Sequence, residues 1–327
     1  MKIYLAKKYT PYYTLVMEEL LINDKDIKED IVYIYQHENA VIIGRNQNVH
    51  EEVKIDELNK NNVKLARRLS GGGAVYHDLG NINFSFITNK SEGHSYEKFL
   101  QPILEFLQSI GVNAYFKGRN DLVIDDLKFS GNAQYVVGDR IVHHGTILFN
   151  ADLQKLGNYL IPSKLKMESK GIKSARQRVT NVVDVLKEKM TVEEFIHGMI
   201  SFFEKKGNCK VEDLPKKYDD KFEELSKYRQ SNEWLFKKQF PFSVTNEAKY
   251  DAGILKVKYS VKENVFENLV FEGDFLALTD HDEAIKAILN TEYNRDVTRK
   301  ILKDLTNIKE MFGGLTIEEI LLTIYGE

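Results

Sequence analysis

Cysteine is nearly missing from this 327-residue chain, with Cys209 the single one. An internal disulfide framework is therefore excluded, and a reducing cytoplasm is the expected compartment. Long hydrophobic runs are missing too, and no apolar stretch approaches the length needed to cross a bilayer. Met1-Lys2-Ile3-Tyr4 does not open a signal peptide, so no membrane partner is expected. Charge of one sign is not in excess. The net charge of −3 gives no field for nucleic acid. The chain has eight histidines but no HxxxH or HExxH spacing. Adjacent His143 and His144 on a strand would point to opposite faces and could not easily share an ion. Internal repeats and low-complexity tails are absent. What remains is ample: 43% hydrophobic residues and enough length for one large domain and one small one.

The local patterns mix helix and strand, and residues 246–327 read as a small α+β domain appended to a larger one. A helix is expected after Pro11, burying Tyr13, Val16, Met17 and Leu20. Ile31–Tyr35 and Ala40–Ile43 read as strands around a polar turn at His37-Glu38-Asn39. A second helix runs from about Ser95 to Ile110, with Gly111 in the place of a C-terminal cap. Strands follow at Leu122–Ile124, Gln134–Val137, Arg140–His144 and Thr146–Asn150, with Gly138-Asp139 as a hairpin turn. Thr191 and Glu194 form a capping box for a helix carrying Phe195, Met199 and Phe202 and stopped by Gly207. Pro241, Ser243, Thr245 and Asn246 mark a linker. Beyond it come strands at Leu255–Tyr259 and Val265–Phe271, then helices, the last capped by Thr316 and Glu319. The expected domains are 1–245 and 246–327.

The chemistry concentrates in Arg67-Arg68-Leu69-Ser70-Gly71-Gly72-Gly73-Ala74-Val75-Tyr76-His77-Asp78. Val63–Arg68 and Ile82–Ile87 flank it as strand candidates. Three glycines permit positive φ and close approach to a ligand. Consecutive N–H groups in such a turn favour an anion, and arginine adds a planar fork for phosphate or carboxylate. A glycine-rich hairpin with two solvated arginines explains the same text. It is neither a P-loop, lacking Lys-Ser/Thr, nor a dinucleotide fingerprint, lying between strands.

The run resembles the signature of lipoate–protein ligases. Further blocks keep that family's order and approximate spacing over about 120 residues: Gly80-Asn81-Ile82-Asn83-Phe84-Ser85-Phe86, Gly118-Arg119-Asn120-Asp121-Leu122-Val123, Lys128-Phe129-Ser130-Gly131-Asn132-Ala133, His143-His144-Gly145-Thr146, and Gly171-Ile172-Lys173-Ser174 with Arg178-Val179-Thr180-Asn181. The resemblance implies a large catalytic domain of mixed β-sheets flanked by helices, biotin/lipoate ligase-like, with a small α+β accessory domain. It implies ATP, Mg²⁺ and lipoate as ligands. It also implies activation to lipoyl-AMP and transfer to a lysine of a lipoyl-acceptor domain, in a dehydrogenase E2 subunit, the glycine cleavage H protein, or both. A monomer is expected.

Lys128 is the residue first in line for catalysis. A lysine beside a carboxylate and a phosphate neutralises charge as they react. Read from the residues alone, it is a turn lysine beside Asp125 and Asp126. The resemblance implies the catalytic role. It further implies that Arg68, Gly73, Ala74, Val75, Tyr76, Asn81, Asp121 and Lys128 hold ATP and the adenylate. Ser70, Gly71, Gly72, His77, Lys128, His144 and Gly145 would hold lipoate. Asp121 is the candidate Mg²⁺ ligand, since hard cations take one or two carboxylates and keep water; an Asx turn explains Asn120-Asp121 equally. Six basic residues lie from Lys164 to Arg178, seven with Lys155 upstream. They read as a solvated face, and without aromatic residues for stacking the segment argues against RNA. The resemblance implies an adenylate-covering loop, with Lys170, Gly171, Lys173 and Arg178 as its contacts.

Three rivals stand beside this reading. An ATP-independent octanoyl or lipoyl transferase of the same superfamily is the nearest, but some of these use a cysteine nucleophile and Cys209 lies outside every block. A biotin ligase shares the fold but has a different glycine–arginine loop. A non-catalytic acyl- or nucleotide-binding module is the third.

Overall fold

The computed structural model describes residues 1–90, 95–162, 179–237 and 240–326. Its strands in chain order are β1 Lys2–Leu5, β2 Ile31–Gln36, β3 Ala40–Ile43, β4 Lys64–Arg67, β5 Val75–His77, β6 Asn81–Asn89, β7 Tyr115–Lys117, β8 Asp121–Ile124, β9 Leu127–Val137, β10 Arg140–Leu148, β11 Val211–Glu212, β12 Val244–Tyr250, β13 Gly253–Lys262 and β14 Val265–Gly273. They form three sheets: an eight-stranded one in the order β11-β1-β2-β6-β10-β9-β8-β7, a small β4-β3-β5 sheet, and a β12-β13-β14 sheet. The large sheet is mixed. β1 pairs in parallel with β2 and β11, whereas β2, β6, β10 and β9 are antiparallel neighbours.

Period-two alternation sends each strand's apolar residues to both faces of the large sheet. One face carries helices α2 (Tyr96–Ser109) and α3 (Val192–Gly207). Leu100, Ile103, Phe106, Phe195, Met199 and Phe203 pack there against Val32, Ile34, Ile82 and Phe84. The other face carries α1 (Pro11–Asn23), whose Val16, Met17, Leu20 and Leu21 cover Tyr33, Tyr35, Tyr135 and Val142. Pro11 opens α1, where its missing N–H costs nothing. Ser95 caps α2, and the Thr191–Glu194 capping box opens α3.

Some boundaries differ from expectation. The expected strands at Arg140–His144 and Thr146–Asn150 are one strand, β10, because Gly145 stays in register opposite Phe84 and Asn132. Phe195 and Phe203 are the fully buried rings of α3 and Phe202 is only partly buried; the helix runs to Gly207 as expected, and left-handed Asn208 caps it. The expected linker is partly strand. β12 begins at Val244 and takes in Thr245 and Asn246. The third sheet has its own core, formed by Leu255, Val257, Phe266, Phe271 and Phe275 against Phe312, Ile320, Leu321 and Ile324. Helices α4 (Asp219–Arg229) and α5 (Asn232–Phe236) precede it, without a sequence signal strong enough to announce them.

Candidate active site

A cavity of about 500 Å³ opens between the α1 face of the large sheet, the small sheet and the β14–Ala277 turn. The glycine-rich segment forms one wall. Arg68 lies inside this wall, partly buried. Its Nε donates to Ser70 Oγ (3.1 Å), Nη1 to the Ile42 carbonyl (3.2 Å), and Nη2 to the Gly71 and Gly73 carbonyls (2.8 Å each). Burial pulls its pKa down to about 10, with Tyr35 and Glu18 opposing. The guanidinium stays charged at neutral pH and draws the loop around itself. Of its five donors, one Nη1–H remains for a ligand.

Arg67 points away and does a different job. It is 3% exposed, and its donors meet the carbonyls of Gly44, Arg45, Gln47, Trp234 and Leu235. It is a structural tie between α5 and the small sheet. The two signature arginines thus divide between architecture and the cavity.

Lys128 is not in a turn. Asp125 and Asp126 make the turn, both at positive φ (49° and 64°), and Lys128 is already in β9. The register slips beside it, with Val123 opposite Lys128 and Leu122 opposite Ser130, so Phe129 is an extra residue in β9. Bulges of this kind re-aim side chains beside sites. The Lys128 ammonium sits 2.7 Å from Asp121 Oδ1, and both side chains remain partly open to the cavity (41% and 35% exposed). Val179 bridges Lys128 in parallel, and the Thr180 N–H donates to its carbonyl at 3.0 Å. Lys170, Gly171, Lys173 and Arg178, the expected loop contacts, lie outside the described residues.

A second polar layer lies behind the glycine wall. His144 Nε2 is 2.6 Å from Ser70 Oγ, and its Nδ1 is 3.0 and 3.1 Å from the two Glu18 oxygens. Ser85 and Tyr35 also donate to Glu18. Burial pushes the Glu18 carboxyl up, but His144, Ser85 and Tyr135 together outweigh it and hold the pKa below the ordinary value. Serine, histidine and glutamate stand in the sequence of contacts of a nucleophile triad. Ser70 is nevertheless wholly buried and its oxygen accepts from Arg68, so no acyl group reaches it. The trio supports the wall.

The structure therefore brings together most of the expected residues. Arg68, Gly72, Gly73, Ala74, Val75, Tyr76, His77, Asn81, Asp121, Lys128, His144 and Gly145 all line the cavity. Ser70 and Gly71 do not: Ser70 sits behind the wall, and an added Cβ at Gly71 would lie 2.4 Å from the Phe275 carbonyl oxygen. His143 faces the opposite side, stacked on Phe99 at 4.8 Å between ring centroids. Arg119, Asn132, His37 and the C-terminal Asp274 and Leu276 line the cavity as well. Arg119 stood beside Asp121 in a signature block and could have been found; Leu276 and Asp274 carry no local signal.

The sequence matches the model of the lipoyl protein ligase A/B catalytic domain over residues 10–204. The bacterial lipoate protein ligase C-terminus matches over 239–324. The chain belongs to the lipoate–protein ligase family. It is 37% identical to a probable lipoate-protein ligase A of Mycoplasma pneumoniae, covering 99% of this chain and 98% of that protein. It is also 37% identical to the lipoate-protein ligase LplJ of Bacillus subtilis, covering 96% and 97%. Among solved structures, P. falciparum LipL1 in complex with lipoate superposes with a TM-score of 0.85 at 25% identity, over 100% of this chain and 99% of that one. A lipoate-protein ligase A bound with ATP gives a TM-score of 0.61 at 25% identity over 72% and 99%. The ligase fold of this chain, large sheet and accessory C-terminal sheet together, is that of the family.

Proposed function

We propose that the cavity performs both half-reactions of lipoate ligation, with Lys128 as the catalytic cation. A lipoate carboxylate oxygen attacks the α-phosphorus of ATP. The bond to the β-phosphate breaks and pyrophosphate leaves, giving lipoyl-AMP. The amine of an acceptor lysine then attacks the acyl carbon. The bond to AMP breaks, and the amine gives up a proton as the amide forms. Neither step needs a protein nucleophile, so positioning and charge neutralisation carry the rate. The observation that carries this reading is the Lys128 ammonium on a re-aimed strand position, beside Asp121, in the cavity that the glycine wall also lines.

The roles distribute along the cavity. Arg68, Gly73, Ala74, Val75, Tyr76, Asn81 and Asp121 hold the nucleotide with Lys128. Gly72, His77, His144 and Gly145 border the acyl chain, and Ser70 and Gly71 shape that wall from behind. No group of three or more His, Cys, Asp or Glu side chains that could cage a metal occurs among the described residues. A phosphate-bridged Mg²⁺ asks less of the protein, one or two carboxylates and several waters, and the part-exposed Asp121 fits that demand. When bound, it would neutralise phosphate charge there. Residues 1–245 carry the catalysis and 246–327 the accessory unit, β12 starting two residues before that boundary.

Support comes from the relatives. LipL1 binds lipoate in its crystal structure, a lipoate-protein ligase A binds ATP, and a bi-partite archaeal ligase of Thermoplasma acidophilum has been solved with its E2 lipoyl domain. The acceptors proposed here are E2 lipoyl domains, the glycine cleavage H protein, or both. No helix among the described residues is long and apolar enough to cross a membrane, and the proposed setting is the cytoplasm. Purified protein with ATP, Mg²⁺ and lipoate should release pyrophosphate, and should not do so with biotin. Adding an apo-acceptor domain should increase its mass by one lipoyl group. No release, or release with biotin alone, overturns the assignment.

A further inference from the structure

Three lysine or arginine side chains line the cavity, Arg68, Arg119 and Lys128, and two of them are already engaged. Arg68 gives four of its five donors to Ser70 and to backbone carbonyls. The Lys128 ammonium faces Asp121 at 2.7 Å. Arg119 is different. It is exposed, and it has no hydrogen bond or ion pair to any described residue. Its guanidinium is therefore the cation of the cavity with its whole fork of donors open.

Arg119 stands in the turn between β7 and β8, where Gly118 takes φ +70°. That turn is tied to β9. Asn120 Nδ2 donates to the Asn132 carbonyl at 2.6 Å. The Asn132 N–H and Nδ2 both donate to the Asn120 carbonyl at 3.0 Å. The backbone that carries Arg119 is thus fixed beside the strand that carries Lys128.

Strand order supplies a direction. β10 carries His144 and Gly145, β9 carries Lys128, and β8 with its turn to β7 follows on the far side. Neighbouring strands are ~4.8 Å apart, so a long side chain on that turn reaches back toward Lys128. Displacement at phosphorus places the attacking and leaving oxygens roughly in line. An acid bordered by His144 and Gly145 meets the α-phosphorus from the β10 side. Pyrophosphate then departs toward β8 and its turn. The bond from the α-phosphorus to the bridging oxygen breaks, and its electron pair leaves on pyrophosphate while the carboxylate oxygen bonds to phosphorus. Negative charge gathers at the end of the cavity where Arg119 stands. This step rests on the reading given under Proposed function.

We infer that Arg119 binds the β- and γ-phosphates of ATP and neutralises pyrophosphate as it leaves, serving the first half-reaction alone. A guanidinium fork suits two phosphate oxygens at once. The second half-reaction does not call on it, because the group expelled there is AMP, which carries no phosphate beyond the α position. Lys128 faces the reacting centre in both steps, and Arg119 in one.

The test compares wild type, Arg119→Met and Arg119→Lys as full-length proteins. ATP and AMP are titrated separately by calorimetry, without lipoate, and the ratio of dissociation constants, AMP over ATP, is the readout. Arg119→Met should lower that ratio about 10- to 100-fold, the value of a charge-assisted hydrogen bond to phosphate, by weakening ATP and leaving AMP as it was. Arg119→Lys keeps the charge without the fork and should fall between the two. Pyrophosphate release with lipoate should drop in Arg119→Met, whereas transfer from chemically prepared lipoyl-AMP to an apo-acceptor should keep its wild-type rate. An unchanged ratio overturns the inference. So does an equal loss of ATP and AMP binding, which would put Arg119 at the α-phosphate or in the fold. Transfer that falls along with pyrophosphate release overturns it too, since Arg119 would then serve the acceptor. Should Arg119→Met fail to fold, the ratio in Arg119→Lys decides. Wild type that binds ATP yet releases no pyrophosphate sinks the ligase reading, while a lowered ratio in Arg119→Met still supports this one; wild type that binds no ATP overturns both.

Discussion

Lys128→Met removes the ammonium and keeps the aliphatic stem, so it isolates charge. The charge lost would face a carboxylate and an α-phosphate as negative charge gathers on the phosphoryl oxygens. A unit charge about 4 Å away contributes about 4 kcal/mol at an effective dielectric constant of 20. Two-fifths of the side chain is open to solvent, so screening reduces this toward about 3 kcal/mol. That matches the loss of one preorganised donor in other acyl-transfer sites, about 10²–10³ in kcat. Pyrophosphate release should fall by this factor. Transfer from chemically prepared lipoyl-AMP to an apo-acceptor should fall too, because the same ammonium faces the leaving phosphate. Stability should barely change. A part-exposed ion pair such as Lys128–Asp121 is worth about 0.2–1 kcal/mol, a melting shift of no more than about 4 °C for a chain of this size. A folded Lys128→Met protein that makes adenylate within threefold of the wild-type rate refutes the assignment. A melting drop far beyond this figure would instead make Lys128 a structural residue.

Arg67→Met should cost about 3 kcal/mol in urea unfolding, since several buried carbonyls lose a charged donor at once. The emission of Trp234, the single tryptophan, should shift because its carbonyl is one of those acceptors; an unchanged midpoint and spectrum would contradict the tie. Gly145→Ala places a Cβ 1.9 Å from Asn132 Oδ1 and 2.5 Å from Phe84 Cζ. It should destabilise by about 1–3 kcal/mol and weaken acid binding through displaced Asn132, and wild-type affinity would argue that Asn132 is not at the ligand. Burial depresses the His37 pKa to about 3, so the unfolded chain binds the extra proton between about pH 6.5 and 3. The stability contributed by keeping it neutral is complete above pH 6.5 and falls with acid, by about 1.5 kcal/mol between pH 6.5 and 5. His37→Gln should flatten the measured stability–pH curve by that amount over that interval, and an identical curve would show the imidazole to be hydrated.

What the sequence conveyed best was whatever depended on local patterns. The helix after Pro11, the two capping boxes and the strand pairs around Gly138 rest on spacing and caps, which act over a few residues. The signature blocks led to most of the cavity wall. Misplacements arose where tertiary contact overrode local chemistry. Asp125-Asp126-Leu127-Lys128 looks like one polar turn, but the two aspartates complete it alone and β9 resumes at Leu127. Arg67 and Arg68 are adjacent and chemically equal. Only the packing of α5, 167 positions away, takes one into the core. His37 follows a strand that is hydrophobic up to Gln36, and its partner is 40 residues on; no spacing rule connects the two.

The glycines show how one motif can answer to several constraints. Their spacing suggested a single purpose, an anion cradle. In the structure each has its own reason. Gly71 lies against the backbone of Phe275 and Ala277, where a Cβ would meet atoms 2.4 and 2.8 Å away. Gly72 sits at φ +90°, a conformation costly for other residues, and its N–H donates to the Phe275 carbonyl at 3.4 Å. Gly73 offers its carbonyl to Arg68. Two of the three thus serve docking of the C-terminal sheet, which also ties to β9 through the Val136 N–H and Leu278 carbonyl at 2.9 Å. These contacts are between backbones, so side-chain changes at 275–278 can drift while the glycines cannot. A Cβ at Gly71 should therefore disturb the accessory sheet before it disturbs the ligand. Limited proteolysis should detect this as faster cleavage between α5 and β12 in Gly71→Ala, and unchanged cleavage with lost ligand binding would return Gly71 to the ligand wall.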